Sequence, residues 1–213
     1  MREVAAMNPR LIYVVGASGS GKDSLMRYAR NCLANESQVV FAHRYITRAA
    51  DAGGENHVAL TQVEFDSRLR SGLMAMHWES HGNAYGLGIE VNQWLAKGIT
   101  VVVNGSREYL ETAAKHYPEL MSVWVEVSQE VLRTRLLARG RESAEEIEKR
   151  LARLPKGPTL GRRGELIPND GELRVAGDTL VDLIRRCNSA PPVLQSDRQK
   201  MGDNGAVPCA STF

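Results

Sequence analysis

Three features are scarce in this chain of 213 residues, and each absence excludes a class of protein. The three cysteines are scattered without metal-ligand spacing, which is typical of reduced thiols in the cytoplasm and not of a disulfide framework. No apolar run approaches the ~20 residues that cross a bilayer, and residues 1–10 lack the apolar block of a secretory signal. The formal net charge of +2 indicates no surface for nucleic acid or membranes. We therefore expect a soluble cytoplasmic protein without a transition-metal site.

The most informative segment that is present is rich in glycine. Residues 16–23 read Gly-Ala-Ser-Gly-Ser-Gly-Lys-Asp, between an apolar run at residues 11–15 and a helical pattern that begins at Ser24. A strand, such a loop and a helix in this order are typical of a P-loop, which binds phosphate through backbone N–H groups and the helix N-terminus. Lys22 is then expected at the β- and γ-phosphates. Asp23 stands where Ser or Thr normally binds magnesium, so Asp23 and the following Ser24 are both candidate Mg²⁺ ligands.

Strand-like and helix-like segments alternate along the chain, which predicts an α/β fold with a mainly parallel central sheet flanked by helices. The strands are predicted at residues 11–15, 39–42, 99–103, 123–127 and 173–176. Two Ser/Thr-x-x-Glu capping boxes, Thr61 with Glu64 and Ser143 with Glu146, predict helix starts, the second helix running through Leu154. Gly72 is expected to end the first of these helices, and a last helix is predicted from Asp178 to Cys187.

The domain organisation follows from composition. Residues 1–9 are expected to form an N-terminal arm and residues 10–187 the folded domain. Residues 155–164 read as a loop rich in Pro and Gly. From residue 188 to 213 the chain is polar and shows no periodicity, so we expect a mobile tail.

Several motifs in order resemble the guanylate kinase family. They are Tyr45-Ile46-Thr47-Arg48, then His81-Gly82-Asn83-Ala84-Tyr85-Gly86, an Arg-rich lid at residues 135–141 followed by 147–151, and the pair Asn169-Asp170. The resemblance runs from about Leu11 to Ile184. It implies a P-loop kinase that uses ATP and Mg²⁺, with a small acceptor-binding subdomain at about residues 43–90 and a lid at about residues 139–165.

The resemblance also implies three groups of site residues. The nucleotide would be held by Gly16, Ala17, Ser18, Gly19, Ser20, Gly21, Lys22, Asp23, Ser24 and Asn169. The acceptor would be held by Arg44, Arg48, His57, Tyr85 and Arg107. Transfer would be assisted by Lys22 and by the lid arginines Arg135, Arg139, Arg141 and Arg150.

The departures from the guanylate kinase pattern narrow the expected substrate. Met76 stands about where that family reads guanine with a glutamate, and a thioether cannot accept hydrogen bonds from the N–H groups of guanine. The second arginine of the family falls at Asp51, its phosphate-binding tyrosine near His57, and its two strand aspartates at Thr100 and Val102. A site without these polar groups should reject guanine. We therefore expect a phosphorylated acceptor that carries no guanine.

A closer resemblance is to the branch of ribose 1,5-bisphosphate phosphokinases. It is carried by the segments at residues 19–24, 42–48, 54–57, 103–107 and 139–142. It implies ATP-dependent conversion of ribose 1,5-bisphosphate to 5-phosphoribosyl 1-diphosphate during phosphonate breakdown, with a small-molecule phosphorylated sugar as the partner. A homodimer is kept as an option for the assembly.

Other interpretations stay open at this point. The chain could be a guanylate kinase with an unusual base pocket, a guanylate kinase-like binding module without catalysis, or a small-metabolite kinase of the gluconate or shikimate type. Individual residues also have structural explanations. Arg135 and Arg139 could form a solvated helix face, Arg150 could pair with Glu146, and Tyr85 could be core packing.

Overall fold

The computed structural model describes residues 10–50, 55, 57–140, 142–152 and 164–188. Its strands are β1 (Leu11–Gly16), β2 (Val39–Phe41), β3 (Arg44–Ile46), β4 (Val58–Ala59), β5 (Met74–Ser80), β6 (Asn83–Gly88), β7 (Thr100–Asn104), β8 (Met121–Glu126) and β9 (Gly164–Pro168). Its helices are α1 (Lys22–Cys32), α2 (Gln62–Arg70), α3 (Glu90–Ala96), α4 (Leu110–His116), α5 (Gln129–Arg139), α6 (Ala144–Ala152) and α7 (Leu173–Asn188).

The central sheet has five strands in the order β2-β7-β1-β8-β9, and every neighbouring pair is parallel. Strand β1 is apolar without interruption because both of its faces are covered. Ile12 and Val14 face one core cluster, whereas Tyr13 and Val15 face the other. The predicted α/β fold with a mainly parallel sheet is thereby confirmed.

Helices cover both faces of this sheet. On one face, α1 and α7 bury Leu25 and Ile184 against Ile12 and Val14. On the other face, Val91 of α3 and Leu110 of α4 pack in the second cluster. The carboxyl ends of β1 and β7 lie side by side in the middle of the sheet, so residues that follow these strands meet at one edge.

A second sheet of four strands, in the order β4-β3-β6-β5, lies within residues 44–88. Strands β3 and β4 are parallel, and the other two pairings are antiparallel. Met76 and Leu87 of this sheet join the same core cluster as Tyr13 and Val103 of the central sheet. The assignment of this sheet to an acceptor remains a prediction.

Both predicted capping boxes are present. The backbone N–H of Thr61 donates to Glu64 at 2.8 Å, and Glu64 returns a bond to the Thr61 hydroxyl at 3.2 Å. The backbone N–H of Ser143 donates to the Glu146 carboxylate at 2.8 Å, and the backbone N–H of Glu146 donates to the Ser143 hydroxyl at 3.3 Å. Gly72 follows α2 with φ +67°, as expected of a glycine that ends a helix.

One predicted strand is wrong. Residues 173–176 open helix α7, and the last strand of the sheet is β9 at Gly164–Pro168. Val175 is 61% exposed, whereas Ala176, Leu180 and Ile184 are buried at helical spacing. The short Leu-x-Val-Ala alternation was therefore the start of an amphipathic helix, which begins five residues before the predicted Asp178.

Some predictions fall on residues that the structure does not describe. They are the N-terminal arm, the tail from residue 189 onward, most of the lid between residues 153 and 163, and Arg141. Within the described ranges, no helix combines the length and the apolar character that a bilayer span requires.

Candidate active site

The glycine-rich loop connects the end of β1 to the start of α1, as predicted for a P-loop. The N–H of Ser20 donates to the carbonyl of Ala17 at 3.0 Å and closes the turn. Helix α1 is preceded by Gly21 with φ +85°, and no side chain caps its first N–H groups. These N–H groups and the positive end of the helix dipole are therefore oriented to bind an anion.

The back of this loop is held by two side chains, Asn169 after the edge strand β9 and Arg135 of helix α5. The amide of Asn169 donates to the carbonyl of Ser20 at 2.7 Å, and the Arg135 guanidinium bonds the carbonyls of Ser20 at 3.2 Å and Asn169 at 2.8 Å. A Cβ on Gly21 would lie 2.5 Å from the Asn169 amide nitrogen. Only glycine at position 21 thus permits both the left-handed backbone and the close approach of Asn169.

Two buried polar atoms lie unpaired near the contacts that Asn169 and Arg135 make with the loop. The Ser20 hydroxyl and the Asn169 amide oxygen have no hydrogen-bond partner within the described part of the chain. An unpaired buried acceptor is unfavourable by ~1–3 kcal/mol, so the Asn169 oxygen is a natural acceptor for a ligand's N–H group.

Lys22 lies in a network of polar groups at the carboxyl ends of β1 and β7. Its ammonium donates to the carboxylate of Asp23 at 3.0 Å and to the side-chain oxygen of Asn104. The amide nitrogen of Asn104 also donates to Asp23, at 3.0 Å. Two side chains from the start of α1 and one from the end of β7 thus converge where a phosphate of the nucleotide would be bound.

Burial and neighbouring charge have opposite effects on the pKa values of Lys22 and Asp23. The Lys22 side chain is only 12% exposed, and burial lowers the pKa of Lys22, while the Asp23 carboxylate acts the other way. Burial alone would raise the pKa of Asp23, but Lys22, Arg44 and the hydrogen bond from Asn104 together outweigh it and the net pKa shift is downward. The carboxylate of Asp23 is therefore held in its ionised form, as a metal ligand must be.

A second charged group lies in the four-stranded sheet. The guanidinium of Arg44 forms a two-pronged ion pair with the carboxylate of Glu55, and Arg48 lies 4.0 Å from the same carboxylate. Asn104 connects the two halves of the site, because its amide donates to Glu55 at 2.8 Å as well as to Asp23. The Nε of Arg48 is buried and has no hydrogen-bond partner among the described residues.

Aromatic rings support Arg44 from the other side. The guanidinium lies 5.0 Å from the ring centre of Tyr85 and 5.9 Å from that of Trp78. The rings of Trp78 and Tyr85 are stacked in parallel at 5.8 Å. Tyr85 is only 8% exposed, so its ring belongs to a buried platform beneath Arg44.

The remaining predicted acceptor residues differ in how they are placed. His57 is buried, and its ring nitrogens lie 3.1 Å from the carbonyl oxygens of Glu55 and Arg48. His57 therefore links the backbone of Arg48 to that of Glu55. Arg107 is half-buried in the turn that follows β7, three residues beyond Asn104. Both roles toward an acceptor stay predictions.

The arginines predicted for the lid lie in different environments. Arg139 is exposed at the end of α5, whereas Arg135 of the same helix bonds the carbonyls of Ser20 and Asn169. Arg150 pairs with Glu142 and not with Glu146, which caps its own helix through Ser143. Arg141 lies outside the described residues. Ser24 is half-buried in the first turn of α1.

Asn104 and Glu55 were missed as site residues by sequence reasoning. The signal for Asn104 was its place at the end of an apolar strand, because carboxyl ends of neighbouring parallel strands share an edge. Glu55 lies in residues 54–57, one of the segments that carry the closer resemblance, but that segment assigned it no role. Only the parallel pairing of β3 with β4 returns the chain so that Glu55 meets Arg44.

The fold resembles that of known kinases. The structure is similar to guanylate kinase from Anaplasma phagocytophilum, with a TM-score of 0.60, at 18% identity and covering 86% of this chain and 88% of that one. A likeness at this identity concerns the fold alone. Together with the P-loop, it defines a P-loop protein of guanylate kinase-like architecture.

Comparison of sequences is more specific, although no family model matches the chain. The chain is 58% identical over 175 residues to a protein of Thiobacillus denitrificans named ribose 1,5-bisphosphate phosphokinase PhnN, covering 82% of this chain and 92% of the relative. It is 55% identical over 179 residues to a protein of the same name from Desulfomicrobium baculatum, covering 82% and 94%. The chain belongs to the ribose 1,5-bisphosphate phosphokinase family, which confirms the closer of the two resemblances.

Proposed function

We propose that this kinase transfers the γ-phosphoryl group of ATP to the 1-phosphate of ribose 1,5-bisphosphate. The products are 5-phosphoribosyl 1-diphosphate and ADP. The observation that carries the proposal is the pairing of Arg44 and Arg48 around a single carboxylate, joined through Asn104 to the P-loop lysine. The names of the curated relatives support the same substrate.

The donor is handled by the P-loop. The backbone N–H groups of residues 16–21 surround the β- and γ-phosphates, and Lys22 leaves Asp23 and Asn104 to neutralise them. At ~4 Å and an effective dielectric near 20, each pair of unlike unit charges contributes on the order of 4 kcal/mol before desolvation. The unpaired oxygen of Asn169 accepts an N–H group of the nucleotide base.

Magnesium fits the residues at this site. Mg²⁺ prefers oxygen ligands and is commonly bound by one or two carboxylates together with substrate phosphates and water. The ionised Asp23 carboxylate, 43% exposed and next to the P-loop, supplies one such ligand, and the hydroxyl of Ser24 is its neighbour. The bound metal would neutralise charge that develops on the phosphates.

The acceptor is held by the charged group of the four-stranded sheet. Arg44 and Arg48 carry two positive charges and face one carboxylate, which leaves one surplus positive charge and one unpaired N–H donor. Guanidinium groups suit phosphate because they can donate two parallel hydrogen bonds. Arg107 adds a third cation from the end of β7, while Tyr85 and His57 fix the positions of the two arginines.

The chemical step requires little more than positioning and charge neutralisation. A new bond forms between an oxygen of the 1-phosphate and the γ-phosphorus, while the bond from that phosphorus to the β–γ bridging oxygen breaks. The attacking oxygen is already anionic, so no residue has to remove a proton. Thr100 and Val102, where the guanylate kinase pattern has acids, lie away from the site: Thr100 bonds Asn188 at 3.3 Å and Val102 is in the core. The lid arginines Arg139, Arg141 and Arg150 would close over the transferred group, and Arg135 would keep the P-loop in place.

Met76 is the observation that disfavours GMP as the acceptor. Its side chain is 1% exposed and packs in the core with Leu87, where it cannot reach a ligand. Nothing polar therefore replaces the expected base-reading glutamate at that position. A binding module without catalysis is disfavoured by the intact P-loop with Lys22.

The proposal is tested by identifying the product. The purified chain is incubated with Mg·ATP and ribose 1,5-bisphosphate, and products are identified by mass spectrometry, with the Lys22→Met variant as the control. We expect 5-phosphoribosyl 1-diphosphate and ADP in equal amounts from the wild type and neither above background from the variant. ADP without the diphosphate product would contradict the assignment. A cytoplasmic location and a role in phosphonate breakdown belong to the same proposal.

A further inference from the structure

The carboxylate of Glu55 lies where an acceptor phosphate would be expected. It receives both prongs of the Arg44 guanidinium and lies 4.0 Å from Arg48. The side chains of Arg44 and Glu55 are each only 12% exposed, so the pair is largely removed from solvent. A fork of this kind, closed on two oxygens, is the geometry with which arginine also binds phosphate.

The charge of this group is not balanced. One carboxylate faces two guanidinium groups, and the buried Nε of Arg48 is left without a partner. A dianionic phosphate supplies a second negative charge and additional acceptor oxygens. Glu55 is therefore a partial substitute for the ligand that these arginines fit best.

Arg44 has a second support besides Glu55. The guanidinium rests on the rings of Tyr85 and Trp78, which are themselves stacked, and Tyr85 is buried. Glu55 has a second partner as well, because one of its oxygens accepts from the Asn104 amide at 2.8 Å. Glu55 can thus give up Arg44 and keep Asn104.

We propose that Glu55 is an internal competitor of the acceptor, which neutralises Arg44 and Arg48 in the free enzyme and is displaced by the acceptor phosphate. This rests on the proposed function, since it assigns the two arginines to the acceptor. The apparent affinity for every acceptor anion is then reduced by the fraction of molecules in which Glu55 has left. The affinity of the cleft for free phosphate and other weakly binding anions is reduced by the same factor.

The experiment measures binding without turnover. Ribose 5-phosphate is titrated calorimetrically into the full chain saturated with Mg·ADP, which fills the P-loop, for the wild type, Glu55→Gln and Glu79→Gln. Glu79 is an exposed carboxylate in the same sheet, so it matches the change in charge. We expect Glu55→Gln to bind about tenfold more tightly, and Glu79→Gln to stay within about twofold of the wild type.

A second measurement separates competition from a structural role. Thermal unfolding of Glu55→Gln should occur at a lower temperature, because two guanidinium groups then lie together without a counter-charge. If Glu55 is a competitor, Glu55→Gln lowers stability and tightens binding. If Glu55 merely positions Arg44, the substitution lowers both stability and affinity. In turnover with ribose 1,5-bisphosphate, KM should fall and kcat should not rise.

The double variant Glu55→Gln with Arg44→Gln should lose the gain in affinity. Binding by Glu55→Gln that is equal to or weaker than the wild type, a gain that survives removal of Arg44, or no binding by any variant would each overturn the proposal. Formation of 5-phosphoribosyl 1-diphosphate without tighter binding by Glu55→Gln refutes only this inference. Tighter binding without that product refutes only the proposed reaction.

Discussion

The two sheets of this protein build their halves of the site in different ways. In the five-stranded sheet, apolar strands such as β1 and β7 are buried on both faces, and the backbone of the loop after β1 makes the proposed phosphate site. In the four-stranded sheet, charged side chains from β3 and the segment before β4 make the site by meeting each other. The proposed donor half is thus formed by the backbone of one loop, whereas the proposed acceptor half depends on a balance of charges between side chains.

Removal of Lys22 should give the largest effect. Lys22→Met deletes the charge that neutralises the nucleotide phosphates, so kcat/KM should fall about 10³-fold, in line with roughly 4 kcal/mol for one unlike pair at an effective dielectric near 20. ADP release measured by a coupled assay checks this. Lys97→Met, at the exposed end of α3, is the matched control and should retain full activity. Near-wild-type activity of Lys22→Met would remove Lys22 from the mechanism.

The central sheet should be the more sensitive half to loss of packing. Ile12 is fully buried in β1, and Ile12→Ala should lower the free energy of unfolding by about 3 kcal/mol through lost burial and a cavity. Val58 in β4 is 40% exposed, and Val58→Ala should change stability by less than about 0.5 kcal/mol. Urea unfolding curves compare them. Similar losses for both variants would contradict the proposed difference between the sheets.

A substitution in the acceptor half should change the kinetic constants for the acceptor and not those for ATP. Arg48→Ala removes one of the two cations of the four-stranded sheet, and we expect kcat/KM for the acceptor to fall about 10²-fold with little change in the KM for ATP. Steady-state kinetics with each substrate varied in turn measure this split. An equal loss for both substrates would show that Arg48 acts on the P-loop and not on the acceptor.

The smallest effect is expected at the helix that follows β4. Thr61→Ala removes the cap of α2, whose N–H partner is Glu64, and should lower stability by about 1 kcal/mol. ATP binding should be unchanged because α2 lies in the other half. Thermal melts with and without Mg·ATP test both statements, and a loss of ATP affinity would mean that the halves are coupled through α2.

The parts that could be predicted from sequence are those with local signals. The P-loop, β1, β7 and both capping boxes were predicted correctly because loop glycines, continuous apolar runs and the Ser/Thr-x-x-Glu spacing act over a few residues. Residues 173–176 were misassigned because four residues cannot distinguish a strand from the first turn of an amphipathic helix.

The charged group of the acceptor half could be predicted only in part. Arg44 and Arg48 were found through the family motif, but Glu55 was not, since its contact with Arg44 depends on how β3, β4 and β6 pair. Asn104 was given no role, because the missing acids of the guanylate kinase pattern were placed at Thr100 and Val102. Its role in joining Lys22, Asp23 and Glu55 depends on the adjacency of β1 and β7, which the sequence does not state.

The central claim is that the cleft recognises a sugar phosphate through cations and reads no base. Its most direct test is the ratio of kcat/KM for ribose 1,5-bisphosphate to that for GMP, measured with the same enzyme and saturating Mg·ATP. Because a pocket that offers a polar substrate group no partner rejects that substrate by about 10²-fold, we expect a ratio of at least that order. A ratio near or below one would contradict the account.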